Sequence, residues 1–379
     1  MRAATTVEGS AHWRETVEFV VAAEGLGLDV CWVAEAWGAD APSVLGFLAA
    51  RTDRLLLGSG IVQVGPRTPV AVAQLAATLC NMTDGRFLLG LGPSGPQVIE
   101  GLHGVSFHRP LQRMRETVEI VRAALTGEKV SHQGELFTIP LLGSDTRPMR
   151  LSIRAEHPVP VYLATLSPKM LQLTGQVADG WLGTSFVPEG AKAAYFDHLD
   201  AGLAAADRTR AGFDVCQGAE VAIFDDEDQL HQYVDSRKQE LAFSLGGMGS
   251  GTTNFYNDAY RRQGWSDVAA DVQQRWQAGG PRRRSRSRHQ RDGPRDDPDR
   301  DRGDGARTSR CLAPRRGRHR PALPSRRDAR RTPGHTRPGH PTRPRGGGGA
   351  LIGYPAWPTP GPVTVRRQAL RTRACPRPS

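Results

Sequence analysis

Cysteine is scarce and poorly placed for cross-linking: Cys31, Cys80, Cys216, Cys311 and Cys375 are odd in number and lie far apart. That excludes a disulfide-stapled scaffold and a zinc site built on closely paired thiols. Long apolar runs are missing too, since a stretch such as Val70 to Leu79 falls far short of the roughly 20 residues that a spanning helix needs. The N-terminus has no apolar signal core, so the chain reads as soluble and cytoplasmic, with no membrane partner and no metal. The nucleophile-elbow, P-loop and H-E-x-x-H patterns are all absent, which removes three large enzyme classes from consideration.

Lysine and glutamate are missing from one region only. The 379 residues hold 50 Lys+Arg against 39 Asp+Glu, a net of +11, and as an average that points to an acidic partner such as nucleic acid. Residues 281–379, however, contain 27 arginines, no lysine, seven aspartates and no glutamate, so an acidic body at −9 is joined to a tail at +20. The tail also holds 16 of the 28 prolines. It has too few large apolar residues to offset an ordering cost of about 1 to 2 kcal/mol per residue, so it is expected to be disordered. A nucleic-acid arm would want more stacking rings than Tyr354 and Trp357. A run without Lys or Glu instead resembles GC-rich DNA translated out of frame, which reading the coding DNA near Gly279 in the other two frames would test.

What is present in the first 280 residues is an alternation of two hydrophobic periods. Apolar positions at helical spacing from Trp13 to Leu26 are followed by a strand-length run, Val30 to Val33. Asp40 with Pro42, and Thr68 with Pro69, have the form of helix starts, and Leu55 to Val64 lies between them as a second strand. The rhythm continues as Arg86 to Gly92 (strand), Pro110 to Leu125 (helix), Val159 to Leu166 (strand) and Ser167 to Ala178 (helix). Trp181 to Phe186 and Val215 to Phe224 complete six strands, with Ala191 to Ala206 helical between them. Such units predict a parallel sheet, either doubly wound or closed as a (β/α)8 barrel. A barrel would need a first strand at Ala3 to Val7, which is weak, and a last strand after Gly279, where the composition changes instead.

Several residues could carry chemistry. Gly90-Leu91-Gly92-Pro93-Ser94-Gly95 matches G-x-G-x-x-G after a strand, yet Pro96 removes an amide and no acidic strand end follows. It is either a ligand loop or a tight turn. Gly58 and Gly60 inside a strand imply a bulge, a close approach or plain packing. Asp40 has the position of a helix cap, whereas Glu35 and Trp37 stand at a strand's end, where α/β proteins place their ligands. His103 and His108 look like loop residues. The absence of a nucleophile–base constellation suggests that a bound organic cofactor supplies the chemistry.

Together, Val33-Ala34-Glu35-Ala36-Trp37-Gly38, the Gly60-Ile61 strand running into Arg67-Thr68-Pro69, and Gly85 to Gly92 resemble the bacterial luciferase-like superfamily. The stretch Ser94 to Val105, with Val161 to Ala164, Pro168-Lys169 and Ala178 to Trp181, is similar to the branch that uses the deazaflavin coenzyme F420. The resemblance covers about residues 15–279. It implies a (β/α)8 barrel with an insertion near 130–158, incomplete here because the last strand is missing. It also implies a cofactor across the C-terminal mouth, backed by a non-prolyl cis peptide that falls on Gly60-Ile61. By the same resemblance Glu35 is the candidate catalytic residue, and Trp37, Gly60, Ile61, Gly92, Pro93, Ser94, Thr165 and Ser167 bind the cofactor. The implied reaction is hydride transfer with a small organic substrate, in a chain that could form a homodimer. FMN-dependent monooxygenation is the alternative, and a defective barrel whose tail binds nucleic acid non-specifically is another.

Overall fold

The computed structural model describes residues 1–8, 12–249 and 253–279. The tail expected over 280–379 lies outside the described residues. The elements run β1 (Ala4–Val7), α1 (Trp13–Gly25), β2 (Val30–Val33), α2 (Ala41–Ala49), β3 (Leu56–Ser59), β4 (Val62–Gln63), α3 (Pro69–Met82), β5 (Phe87–Gly92), α4 (Pro96–Ile99) and α5 (Pro110–Leu125). A small hairpin follows, β6 (His132–Gln133) and β7 (Thr138–Ile139), then β8 (Val161–Leu163), α6 (Pro168–Val177) and β9 (Gly180–Gly183). After α7 (Pro188–Ala191), a π-helical turn leads into α8 (Asp197–Ala204) and β10 (Asp214–Gln217). The described chain closes with α9 (Glu227–Gly246), α10 (Phe255–Tyr260), a second π-helical turn and α11 (Ser266–Gln277).

One parallel sheet organises all of this, in the order β1-β2-β3-β5-β8-β9-β10, with β4 continuing β3 alongside β5. It is the strongly curled sheet of a (β/α) barrel. Alternation along the strands divides the apolar side chains into two sets. Cys31, Val33, Leu57, Phe87, Leu89, Leu91, Val161 and Leu163 meet the helices in the large outer core, while Val30, Trp32, Leu88 and Tyr162 form a smaller cluster on the inner face. Proline fits the first turns of α2, α3, α5 and α6, where its missing N–H costs nothing. The side chains of Asp40 and Thr68 cap α2 and α3 as the spacing predicts.

The weak first strand is a true one: Ala4, Thr5, Thr6 and Val7 pair in register with Val30, Cys31, Trp32 and Val33. Its sequence looks poor because only Val7 is buried; the ladder to an apolar neighbour, not its own hydrophobicity, holds it. Among the described residues no strand follows α11, and β1 and β10 each pair on one side only. The last strand is also shorter than the apolar run Val215 to Phe224 predicts. It ends at Gln217, and Val221 and Ile223 beyond it are 88% and 93% exposed. At the N-terminal end of the lumen, Arg2 donates to Asp214 and Tyr162, and the Tyr162 hydroxyl donates to Asp214 at 2.9 Å, bracing one edge strand against the other.

The 130–158 insertion is stapled by a buried carboxylate. Glu116 of α5 accepts from Gln112 and from the amides of Glu135, Leu136 and Phe137. Burial pushes its pKa up, but these hydrogen bonds outweigh that and the net shift is downward.

Candidate active site

The mouth is built at the C-terminal ends of the strands, the end at which parallel barrels place their ligand loops. β3 stops at Ser59 and β4 resumes at Val62; the two residues between them, Gly60 and Ile61, are joined by a cis bond. This is the bond on which the resemblance places it. Buried Ser59 mends the interrupted ladder, its hydroxyl accepting from the Gly90 N–H at 2.9 Å and donating to the Gly90 carbonyl at 2.8 Å. Gly90 can be nothing larger, because a Cβ there would lie 1.9 Å from the Ser59 carbonyl oxygen. At Gly92 the space is occupied by the Ile61 side chain, 2.7 Å from a Cβ built there. Both glycines of the G-x-G pattern are therefore wall positions that accommodate the bulge.

Glu35 lies on the loop after β2 with both carboxylate oxygens engaged. Arg67 forks onto it at 2.6 and 2.8 Å, and the amides of Ala41 and Gln63 donate at 3.2 and 3.3 Å. Arg67 also reaches Asp40 at 2.8 Å. Burial lowers the Arg67 pKa, but Glu35 and Asp40 more than reverse that, so it is raised. The buried Gln63 amide donates to the Ala36 carbonyl at 2.6 Å, tying the loop after β2 to β4. Trp37, on the same loop, is 45% exposed. Sequence reading sets Arg67 inside a motif without giving it a task; the 32 residues that separate it from Glu35 leave no local pattern to find.

Pro93 and Ser94 form the turn after β5, with Ser94 in the left-handed region at φ 58°. A Cβ added at Gly38, Gly95 or Gly218, on the loops after β2, β5 and β10, would meet nothing within 4 Å. The rim is thus open above three strands. Below it, Trp32 and Tyr162 form the floor, edge to face with centroids 5.2 Å apart. Burial, aided by the Asp214 carboxylate that its hydroxyl serves, pushes Tyr162 up to about 12.

Beyond β8, Thr165 and Ser167 differ sharply. Thr165 is buried, and its hydroxyl bonds the Thr174 hydroxyl at 2.7 Å within the packing of α6. Its carbonyl accepts from the Trp181 indole at 2.9 Å. Ser167 stands at the N-terminus of α6, its side chain making no cap bond, and lines a cleft of about 340 Å³ with Pro168, Phe255, Asp258, Arg261 and Arg262. Arg262 donates to the carbonyls of Leu166 and Ala194 at 2.6 and 2.7 Å, and burial lowers its pKa. Positive charge beside a helix N-terminus suits an anionic group.

Comparison with known proteins agrees with this architecture. Residues 1–294 match the family model described as luciferase-like monooxygenase. A Mycobacterium tuberculosis protein, provisionally named as a coenzyme F420-dependent oxidoreductase, is 39% identical over 272 residues, covering 69% of this chain and 77% of that one. The F420-dependent tetrahydromethanopterin reductase of Methanopyrus kandleri superposes with a TM-score of 0.55 at 22% identity, over 65% of this chain and 72% of that one. The oxygenating constituent of 3,6-diketocamphane monooxygenase from Pseudomonas putida, solved with FMN, superposes at 0.54 with 15% identity, over 72% and 80%. Among the described residues no helix is long and apolar enough to cross a membrane. With its curled parallel sheet, its bulge at Gly60-Ile61 and its match over residues 1–294, the chain belongs to the luciferase-like monooxygenase family of oxidoreductases.

Proposed function

We propose that this enzyme is a coenzyme F420-dependent oxidoreductase that exchanges a hydride with a small organic substrate. The observation that carries the reading is the cleft beside the mouth, in which Ser167 at the start of α6 faces the turn bearing Arg261 and Arg262. That donor set suits a cofactor with a phosphate and an acidic tail, and the Mycobacterium tuberculosis relative is named for such a cofactor. The open space over Gly38 and Gly95 suits a flat ring system approaching the backbone.

When bound, the reduced deazaflavin supplies the hydride. The protein's own part is binding, orientation and exclusion of water. Gly60 and Ile61, with Gly92 packed against Ile61 and with Pro93 and Ser94 on the turn after β5, would form the wall behind the ring. Trp37 would cover the ring's edge, and Ser167 would hold the anionic end. With both oxygens already engaged, Glu35 acts by position: it fixes Arg67 and the amide of Gln63, and through them the bulge. Thr165 likewise serves through its contacts with Thr174 and Trp181, which set the start of α6.

The second reading, FMN-dependent monooxygenation, is favoured by the likeness in fold to an oxygenase solved with FMN, since FMN's phosphate suits the same cleft. Titrating the full chain with F420 and with FMN, following fluorescence, separates the two. Saturable quenching of F420 that FMN does not displace is expected. Binding of FMN alone, with oxygen uptake when it is reduced, would replace this reading with the second.

A further inference from the structure

Behind the mouth, one buried side chain holds a rim loop from a distant part of the sequence. The loop is Thr184 to Val187, which leaves the C-terminal end of β9 with Ser185 at φ 54°. The Ser185 carbonyl accepts from Gln263 Nε2 at 2.6 Å and from the Tyr195 hydroxyl at 2.9 Å. The Val187 N–H donates to Gln263 Oε1 at 2.7 Å. Gln263 itself is 5% exposed and also donates to the Tyr195 hydroxyl and the Ala259 carbonyl, both at 3.0 Å.

Local structure brings it there. Gln263 sits in the π-helical turn after α10, where Gly264 at φ 95° breaks the helical path. At α7, Gly190 leaves room for the Gln263 backbone, since a Cβ on it would lie 2.6 Å from the Gln263 Cα. The amide's two ends are both committed to the loop, the donor to Ser185 and the acceptor to Val187. No other uncharged side chain of that length offers both.

We infer that Gln263 is a positioning residue of the active site, holding the loop after β9 in the one conformation that receives the ligand. The inference rests on the function proposed above. Without the amide, the loop occupies its binding-competent form for only a fraction of the time, and apparent affinity falls by that fraction. The chemical step, once ligand is bound, is unchanged.

The test uses full-length protein and three variants, Gln263→Ala, Gln263→Glu and Leu199→Ala. Leu199 is 1% exposed, on α8, and serves as a stability control away from the mouth. Gln263→Ala is expected to weaken F420 binding about tenfold and to raise KM with little change in kcat. Gln263→Glu turns a carboxylate oxygen onto the Ser185 and Ala259 carbonyls that Nε2 now serves, so it should weaken binding at least as much as Gln263→Ala. Leu199→Ala should lower Tm as much or more while leaving affinity alone. Amide hydrogen exchange over 184–187, measured without cofactor, should quicken in the Gln263 variants only. If the parent chain does not bind F420, the proposed function fails, and the exchange arm alone decides whether the loop is held by Gln263. Unchanged exchange at 184–187, or equal loss of affinity in Leu199→Ala, would overturn the inference.

Discussion

The glycines of the inner wall and those of the rim look alike in the sequence and do opposite things in the fold. At Gly58, Gly90 and Gly92 an added Cβ would lie 2.3 Å from Trp32, 1.9 Å from the Ser59 carbonyl oxygen and 2.7 Å from Ile61, respectively. At Gly38, Gly95 and Gly218 it would meet nothing within 4 Å. The wall glycines are required by contacts already made, while the rim glycines keep space clear. A barrel enzyme needs both, a wall that cannot yield and a rim that is left unfilled, and substitution by alanine separates them.

Gly90→Ala is the harshest test of the wall. Its obstacle is a backbone carbonyl, which no rotamer change can move, and the neighbouring Ser59 hydroxyl is bonded to Gly90 at both its amide and its carbonyl. A loss above about 4 kcal/mol is expected, the range reached by severe core overpacking, read as a collapse of soluble yield or of Tm. A variant that kept the parent Tm would show that the bulge is compliant, and the division between wall and rim would fall.

Glu116 asks whether intolerance belongs to the wall or to any buried site. The substitution Glu116→Gln would turn an NH2 group toward backbone amides that now meet a carboxylate, so it should cost about 2 to 3 kcal/mol. The sign of the pH effect follows from the lowered pKa. The contribution is present above the unfolded value of about 4.3 and is lost as pH falls through the lower folded value. Denaturant melts of the parent should therefore weaken on that acid side more steeply than those of Glu116→Gln.

The floor should be milder. In Tyr162→Phe the ring keeps its contact with Trp32, and Asp214 keeps Arg2, so what is lost is the hydroxyl's bond to a partly exposed carboxylate and the one it accepts from Arg2 at 3.3 Å. About 1 kcal/mol is expected, measured by urea melts. A much larger loss would mean that this brace, more than the ladder to β2, keeps the edge strand β1 in place.

The sequence is most readable where a signal is local. Pro110 to Leu125 is the helix that its periodicity predicts, and Asp40 and Thr68 cap as their spacing says. Val159 to Leu166 and Val215 to Phe224 read too long, because an apolar run does not reveal where pairing stops; beyond Gln217 the same apolar alternation continues with its side chains exposed. The candidate site is legible as a set of strand ends but not as a set of contacts. Glu35 can be seen and Arg67 cannot be assigned to it. Thr165 and Ser167, two residues apart, look equivalent, yet one hydroxyl turns into α6 and the other lines the cleft. Gln263 gives no sign at all, since its partners Ser185 and Val187 lie 78 and 76 residues away.

The smallest expected effect on stability is the most informative about function. Gly95 has extended backbone dihedrals, φ −131° and ψ 165°, which alanine adopts freely, and open space where its methyl would go. Restricting the unfolded chain should leave Gly95→Ala unchanged or more stable by about 0.4 to 1 kcal/mol. The same methyl would stand where the proposed function puts the cofactor ring, so F420 affinity should fall while Tm does not. Opposite movement of the two readouts is the signature of space reserved for a ligand, because a packing position would lose both together. If Gly95→Ala bound F420 as the parent does, the ring would have to lie elsewhere on the rim, with the space over Gly38 the next place to fill.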